Sequence, residues 1–187
     1  MGAETLRPKH AWREGMSRSN LYRAAQSGRY ERIARGIYRP ADAPAADWDW
    51  IEAATRRRDA TICLTSALAF HDLTDAIPDA LDVAIPRGAR IPATEAAINW
   101  HLFAKDTFTL GRADIAVPRT AQRIGIYSPE RCIADAFRLR GDLGYELGRD
   151  ALREWLRRGG RPADLMEIAS RLPRAEGPIL HALDILA

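Results

Sequence analysis

Ser19, Tyr22, Arg23 and Gln26 recur at spacings of three, four and one residues, which at 100° per residue places them on one face of a helix. Hydroxyl, phenol, guanidinium and amide are the groups that contact phosphate oxygens and base edges in a DNA major groove. Arg18 lies at the edge of that face, with Ser17 and Asn20 in the same first turn. The amino end of such a helix favours phosphate through its free N–H groups and dipole. Leu21, Ala24 and Ala25 form a narrow apolar stripe on the other side. Immediately downstream come Arg29, Arg32, Arg35 and Arg39, four forked cations able to pair with phosphates in two-toothed fashion. The chemistry this stretch points to is recognition of a polyanion, with Ser17, Arg18, Ser19, Asn20, Tyr22, Arg23, Gln26, Arg29, Arg32, Arg35 and Arg39 as its DNA-binding residues.

Other reactive types form no constellation of that strength. His10, His71, His101 and His181 are scattered, and none has metal-ligand spacing to a Cys or carboxylate. Cys132 follows Glu130 by two residues on a face that Ile133 and Ala136 bury, which reads against a nucleophile. Asp79 and Asp82 flank a strand, but no Glu-x-Lys follows on the next one, so a metal nuclease is rejected. Asp135 stands on an apolar helix face within reach of Arg131 and Arg138 and reads as a pairing residue. Arg56, Arg57 and Arg58 end a helix, where cations suit the dipole; a basic surface toward nucleic acid is the second reading. No glycine-rich phosphate loop occurs. The expectation is a protein that binds rather than catalyses, with no catalytic residues, no metal and no cofactor.

The elements that must position these residues follow from punctuation. Leu6 to Glu14 predicts a short helix with Pro8 in its first turn. Gly15 ends it, Ser17 is an N-cap for a second helix from Arg18 to Ser27, and Gly28 stops that helix. Residues 29–39, with a turn at Arg35 and Gly36, predict a short hairpin. Pro40 to Pro44 breaks regular structure and divides a domain at 1–40 from a domain at 45–187. The second reads as helices over 47–58 and 64–71, a strand over 81–85, a strand over 99–103, several strands within 106–127 with turns at Gly111–Arg112 and Gly125, a helix that Ser128 caps with Pro129 at its first position and that buries Ile133, Ala136 and Phe137, and helices over 145–158, 162–172 and 177–186. The fold class is α+β, a winged helix-turn-helix with a shortened start followed by a mixed α/β domain. Residues 1–40 carry nine Lys or Arg against three Glu, net +6, whereas residues 41–187 carry nineteen basic against twenty-two acidic residues, net −3. A basic head on a mildly acidic body again points to nucleic acid. The absence of an apolar amino-terminal region or a long apolar run predicts neither signal peptide nor membrane span. Two buried thiols, Cys63 and Cys132, fit a reducing cytoplasm.

The stretch from Gly15 to Arg39, GMSRSNLYRAAQSGRYERIARGIYR, resembles the amino-terminal domain of the AbiEi family, antitoxins of type IV toxin–antitoxin systems and related transcriptional regulators. Three body segments resemble that family in the same order: Thr61 to Leu73, Ile126 to Phe137, and Asp150 to Leu156. The resemblance implies a winged helix that binds double-stranded DNA at its own promoter and represses its operon in a bacterial phage-defence setting. It also implies a body that neutralises a nucleotidyltransferase-like toxin without forming a stable complex. A stand-alone transcriptional regulator, or a nucleic-acid-binding interaction protein without a toxin, is the alternative. Monomer and homodimer are both open, since paired half-sites favour dimers and an asymmetric site does not require one.

Overall fold

A computed structural model of the chain describes residues 6–9, 11–34, 36–41, 48–117 and 120–186. It divides into two compact units: Met1–Ala60 with Arg90–Ile98 and Asp114–Ile124, and Thr61–Ala89 with Asn99–Ala113 and Gly125–Ala187. Among the described residues no helix is long and apolar enough to cross a membrane.

The first unit opens with a departure from expectation. Among the described residues of 6–14 no α-helix forms. Leu6 pairs antiparallel with Tyr38, its N–H donating to the Tyr38 carbonyl at 2.7 Å and its carbonyl accepting from the Tyr38 N–H at 2.9 Å, and only Ala11–Glu14 coils, as a single 3-10 turn. Two causes coincide. Pro8 disfavours helical backbone at Arg7, and Leu6 is buried in a small core with Ala11, Leu21 and Tyr38, flanked by Met16, Ala25 and Tyr30. Helix α1 spans Arg18–Gln26, and the hairpin follows as β1, Tyr30–Ala34, and β2, Ile37–Pro40. Strand β1 pairs antiparallel with β2 from Tyr30 opposite Pro40 to Ala34 opposite Ile37, with a bulge between Arg32 and Ala34. Of the proline-bounded break expected over Pro40 to Pro44, Pro40 ends β2 and residues 42–44 lie outside the described residues, as do residues 45–47, the last of which is the expected start of the next helix. Helix α2 is described over Trp48–Arg56.

Most strand residues of the larger sheet belong to the second unit. Its strands are β3, Thr61–Ile62; β4, Leu81–Pro86; β5, Ile98–Phe103; β6, Arg112–Ala116; and β7, Arg123–Tyr127, in the spatial order β5-β4-β3-β7-β6. The mixed α/β class follows from its pairings: β3 runs antiparallel to β4 and parallel to β7. Helices α3, Leu64–Phe70; α4, Pro129–Arg138; α5, Arg140–Leu143; α6, Tyr145–Arg157; α7, Pro162–Ala169; and α8, Glu176–Leu186, complete it. Helix α4 packs against α3, α6, α7 and α8, which explains why all its residues from Arg131 to Phe137 are buried.

Gly125 corrects a second expectation. It lies inside β7 rather than in a turn, paired with Thr61. A Cβ there would fall against the guanidinium of Arg112, which crosses the strand and donates to Thr61 Oγ1 at 2.8 Å. The glycine makes room for a neighbour and does not mark a reversal of the chain. The expected turn at Gly111–Arg112 is present, with Gly111 at φ +66°, and the chain next reverses between β6 and β7, where the Val117 N–H donates to the Gln122 carbonyl at 2.9 Å.

Candidate nucleic-acid interface

Local chemistry explains why α1 forms where it does. Ser17 Oγ accepts from the Asn20 N–H at 3.1 Å, satisfying one of the free donors of the first turn. At the other end Gly28, with φ +76°, donates to the Ala25 carbonyl at 3.2 Å, and the Arg29 N–H donates to the Ala24 carbonyl at 2.9 Å. That pair of bonds is a Schellman closure, which turns the chain directly into the hairpin. Leu21 and Ala24 are buried on the inner side, and Ala25 is half-buried.

The outer side is polar and open. Ser17, Arg18, Ser19, Asn20, Tyr22, Arg23 and Gln26 are all exposed, as are Arg29 and Arg32 beyond the helix. Two contacts hold the face in order. Arg23 donates through Nη2 to Asn20 Oδ1 at 2.9 Å, and Arg18 donates through Nε to Tyr22 Oη at 3.3 Å. The Arg18 guanidinium carbon is 5.7 Å from the centre of the Tyr22 ring, and Tyr22 meets Tyr38 edge-on at 5.9 Å. An open concavity of about 760 Å³ runs beside the helix along Asn20, Arg23, Gln26, Ser27 and Arg29.

Arg39 is placed differently from the other sequence candidates. It is half-buried on β2, bonded to Glu31 Oε2 at 3.0 Å and stacked over the Trp48 ring with its guanidinium carbon 3.9 Å from the ring centre. The guanidinium joins the hairpin to α2, whose Trp48 lies nine residues further along the chain. Arg32 stays exposed, 3.6 Å from the equally exposed Glu95, an ion pair that solvent leaves weak. Arg35 lies outside the described residues. Sequence reasoning missed Arg7, Lys9 and Arg56, which approach Arg18 and Arg32 in space. Only the argument that the 56–58 cluster could extend a basic surface hinted at one of them.

Asp135, His71, His101 and Asp82 are held in structural bonds. Asp135 is fully buried, accepting from Arg131 Nε at 2.9 Å and from Arg138 Nε at 2.6 Å. Arg131 also donates to the Thr107 and Leu110 carbonyls at 2.6 and 2.8 Å and lies 4.4 Å from the Tyr127 ring centre. His71 donates to the Tyr127 carbonyl at 2.8 Å, and His101 pairs with Asp82 at 2.9 Å. Cys63 and Cys132 are buried, and burial pushes both thiols well above their ordinary range. His10 is outside the described residues. Among the described residues no group of three His, Cys, Asp or Glu could hold a metal ion.

Comparison with known proteins bears on the same stretch. Residues 3–41 match the family model described as transcriptional regulator, AbiEi antitoxin. The match ends beside the hairpin, so the three body segments that resemble the family lie beyond it. The crystal structure of the RV2827C protein from Mycobacterium tuberculosis aligns with 98% of this chain and 75% of that one, with TM-score 0.52 and 15% sequence identity. At that identity the likeness is one of fold. No curated protein matches the chain.

Proposed function

We propose that this chain is a DNA-binding transcriptional regulator of the AbiEi antitoxin type, whose residues 1–40 act as a winged helix-turn-helix and whose residues 45–187 act on a toxin. The supporting observation is the solvent-open polar face of α1, fixed at both ends by caps and followed by an arginine-bearing hairpin, within the stretch that matches the family model. In this reading α1 enters the major groove, with Ser19, Arg23 and Gln26 at base edges and Ser17, Arg18, Asn20 and Tyr22 at phosphates. Arg29, Arg32 and Arg35 of the wing follow the backbone. Arg39 supports the wing from behind through Trp48. The double-stranded target is the promoter upstream of its own reading frame, and binding represses that operon. The protein acts by binding, without cofactor or metal, and its toxin partner is a nucleotidyltransferase-like protein opposed without a stable complex.

A duplex from the upstream region should bind and shift in an electrophoretic or anisotropy assay, with affinity falling steeply as salt rises. Weak and equal binding to every duplex at low salt rejects a repressor. Co-expression with a neighbouring nucleotidyltransferase-like protein should restore growth. If promoter binding holds and growth is not restored, the chain is a stand-alone regulator.

A further inference from the structure

Helix α1 is a rib between two cationic concavities, and its residues sort between them by angle. Taking Ser19 as the crest and 100° per residue, Gln26 lies close to it, Arg23, Ser27 and Asn20 fall away on one flank, and Tyr22 and Arg18 fall away on the other. The first flank borders the concavity already described. The second borders a separate trough of about 550 Å³, walled by Arg7, Lys9, Arg18, Arg32 and Arg56 together with Tyr22 and Tyr38. Among the described residues five cations and no carboxylate line it, with Arg32 3.6 Å from Glu95 and Arg56 2.8 Å from Glu52. Its cations come from three places far apart in sequence: the segment before α1, the helix and hairpin, and the end of α2.

Two of the trough's cations are anchored by bonds within the same unit. Arg56 is bonded to Glu52 Oε1 at 2.8 Å, and the other Glu52 oxygen accepts from the Glu95 and Ala96 N–H groups at 3.0 and 2.8 Å. Arg7 donates to the Thr55 carbonyl. Burial first, and then the nearby Arg56 charge, lower the Arg7 guanidinium from its ordinary value. Two guanidinium groups brought within repulsion of each other are stabilised when an anion lies between them.

We propose that this trough seats one phosphodiester strand of the duplex whose major groove receives α1, while the opposite concavity, with Arg23 and Arg29, borders the other strand. A rib flanked by two positive channels is the complement of a major groove flanked by two phosphate backbones. The proposal rests on the DNA-binding reading above and adds Arg7, Lys9 and Arg56 to the surface as phosphate contacts, which carry no sequence information.

The test uses the full chain. Wild type, Lys9→Gln/Arg56→Gln and the single charge reversal Lys9→Glu are titrated with the upstream duplex and a scrambled duplex of equal length, across a range of KCl. Lys9 is exposed, so its reversal leaves folding intact even if the Arg56 change disturbs the Glu52 anchor; a thermal melt of each variant reports on that. The double variant should lower the magnitude of the slope of log K against log[KCl] by about 2 and weaken both duplexes alike, leaving their affinity ratio within about twofold of wild type. Lys9→Glu should weaken both by about tenfold near physiological salt. Unchanged slope and affinity in both variants overturn the trough as a backbone seat while leaving DNA binding by α1 standing. A loss confined to the upstream duplex also overturns it, since it would mean base reading. If wild type binds neither duplex, the DNA-binding reading and the trough fall together.

Discussion

At Arg23 the hydrogen bond to Asn20 Oδ1 pre-orients a guanidinium on an exposed helix face, so little conformational freedom remains to be lost on binding. If the residue reads a base, Arg23→Ala should weaken the upstream duplex by about 1–3 kcal/mol more than a scrambled one, measured as a ratio of dissociation constants. An equal loss on both would reassign it to the backbone. Asp135 shows the opposite use of charge. Its carboxylate is fully buried between Arg131 and Arg138, and removing the charge leaves two guanidinium groups without their counterion. Asp135→Asn should lower unfolding free energy by about 3–5 kcal/mol in a denaturant titration; a change below about 1 kcal/mol would show that the neighbouring carbonyls suffice. The two cysteines give a pH dependence. Burial raises both thiols in the folded state, so their contribution is fully present below the unfolded value near 9 and is lost as pH rises through it toward the folded values. The urea midpoint should fall between about pH 8 and pH 10, with a shallower fall in Cys63→Ala/Cys132→Ala. A flat midpoint across that range refutes the assignment.

Among the elements, α1 was readable because each of its determinants is local. Ser17, the Leu21–Ala24–Ala25 stripe and Gly28 state its start, its inner face and its stop within twelve residues, and the structure places all of them as read. Ser17→Ala should destabilise the helix by about 1 kcal/mol, seen as a lower melting temperature together with weaker DNA binding; a lower melting temperature alone would separate the cap from the interface. Elements fixed by distant partners were not readable. Residues 6–14 carry a fair helical pattern, yet Leu6 is drawn into a bridge with Tyr38, thirty-two positions away. Strand β3 is two residues long and has no periodicity to detect, although β4 and β7 pair on its two sides. Gly125 suggested a turn because sequence shows the absent side chain but not the Arg112 guanidinium that occupies its place. Arg39 reads as a free wing cation until Glu31 and Trp48 are found against it, and Arg56 joins the candidate surface only in three dimensions.

Across the whole molecule, charge is segregated along the chain: net +6 in residues 1–40 and −3 in the remainder, on a sequence pI of about 9.1. Position along the chain made that contrast visible in advance, because it needs no knowledge of the fold. What it could not supply is the share of the cations that faces solvent together, since Arg39 is committed internally while Arg56, outside the basic segment, joins the cluster. That share fixes a measurable quantity. Each neutralised phosphate contributes about 0.9 to the slope of log K against log[salt]. If the five trough cations, Arg29 and Arg35 all meet phosphates, the slope should approach about −6, and if only Arg18 and the wing residues Arg29, Arg32 and Arg35 engage, it should lie near about −4. Measuring binding of a nonspecific duplex to the intact chain over about 50 to 300 mM KCl distinguishes the two. A slope shallower than about −2 would mean that the basic surface meets too few phosphates to hold DNA at physiological salt, and the positive charge of the first forty residues would then need a different partner.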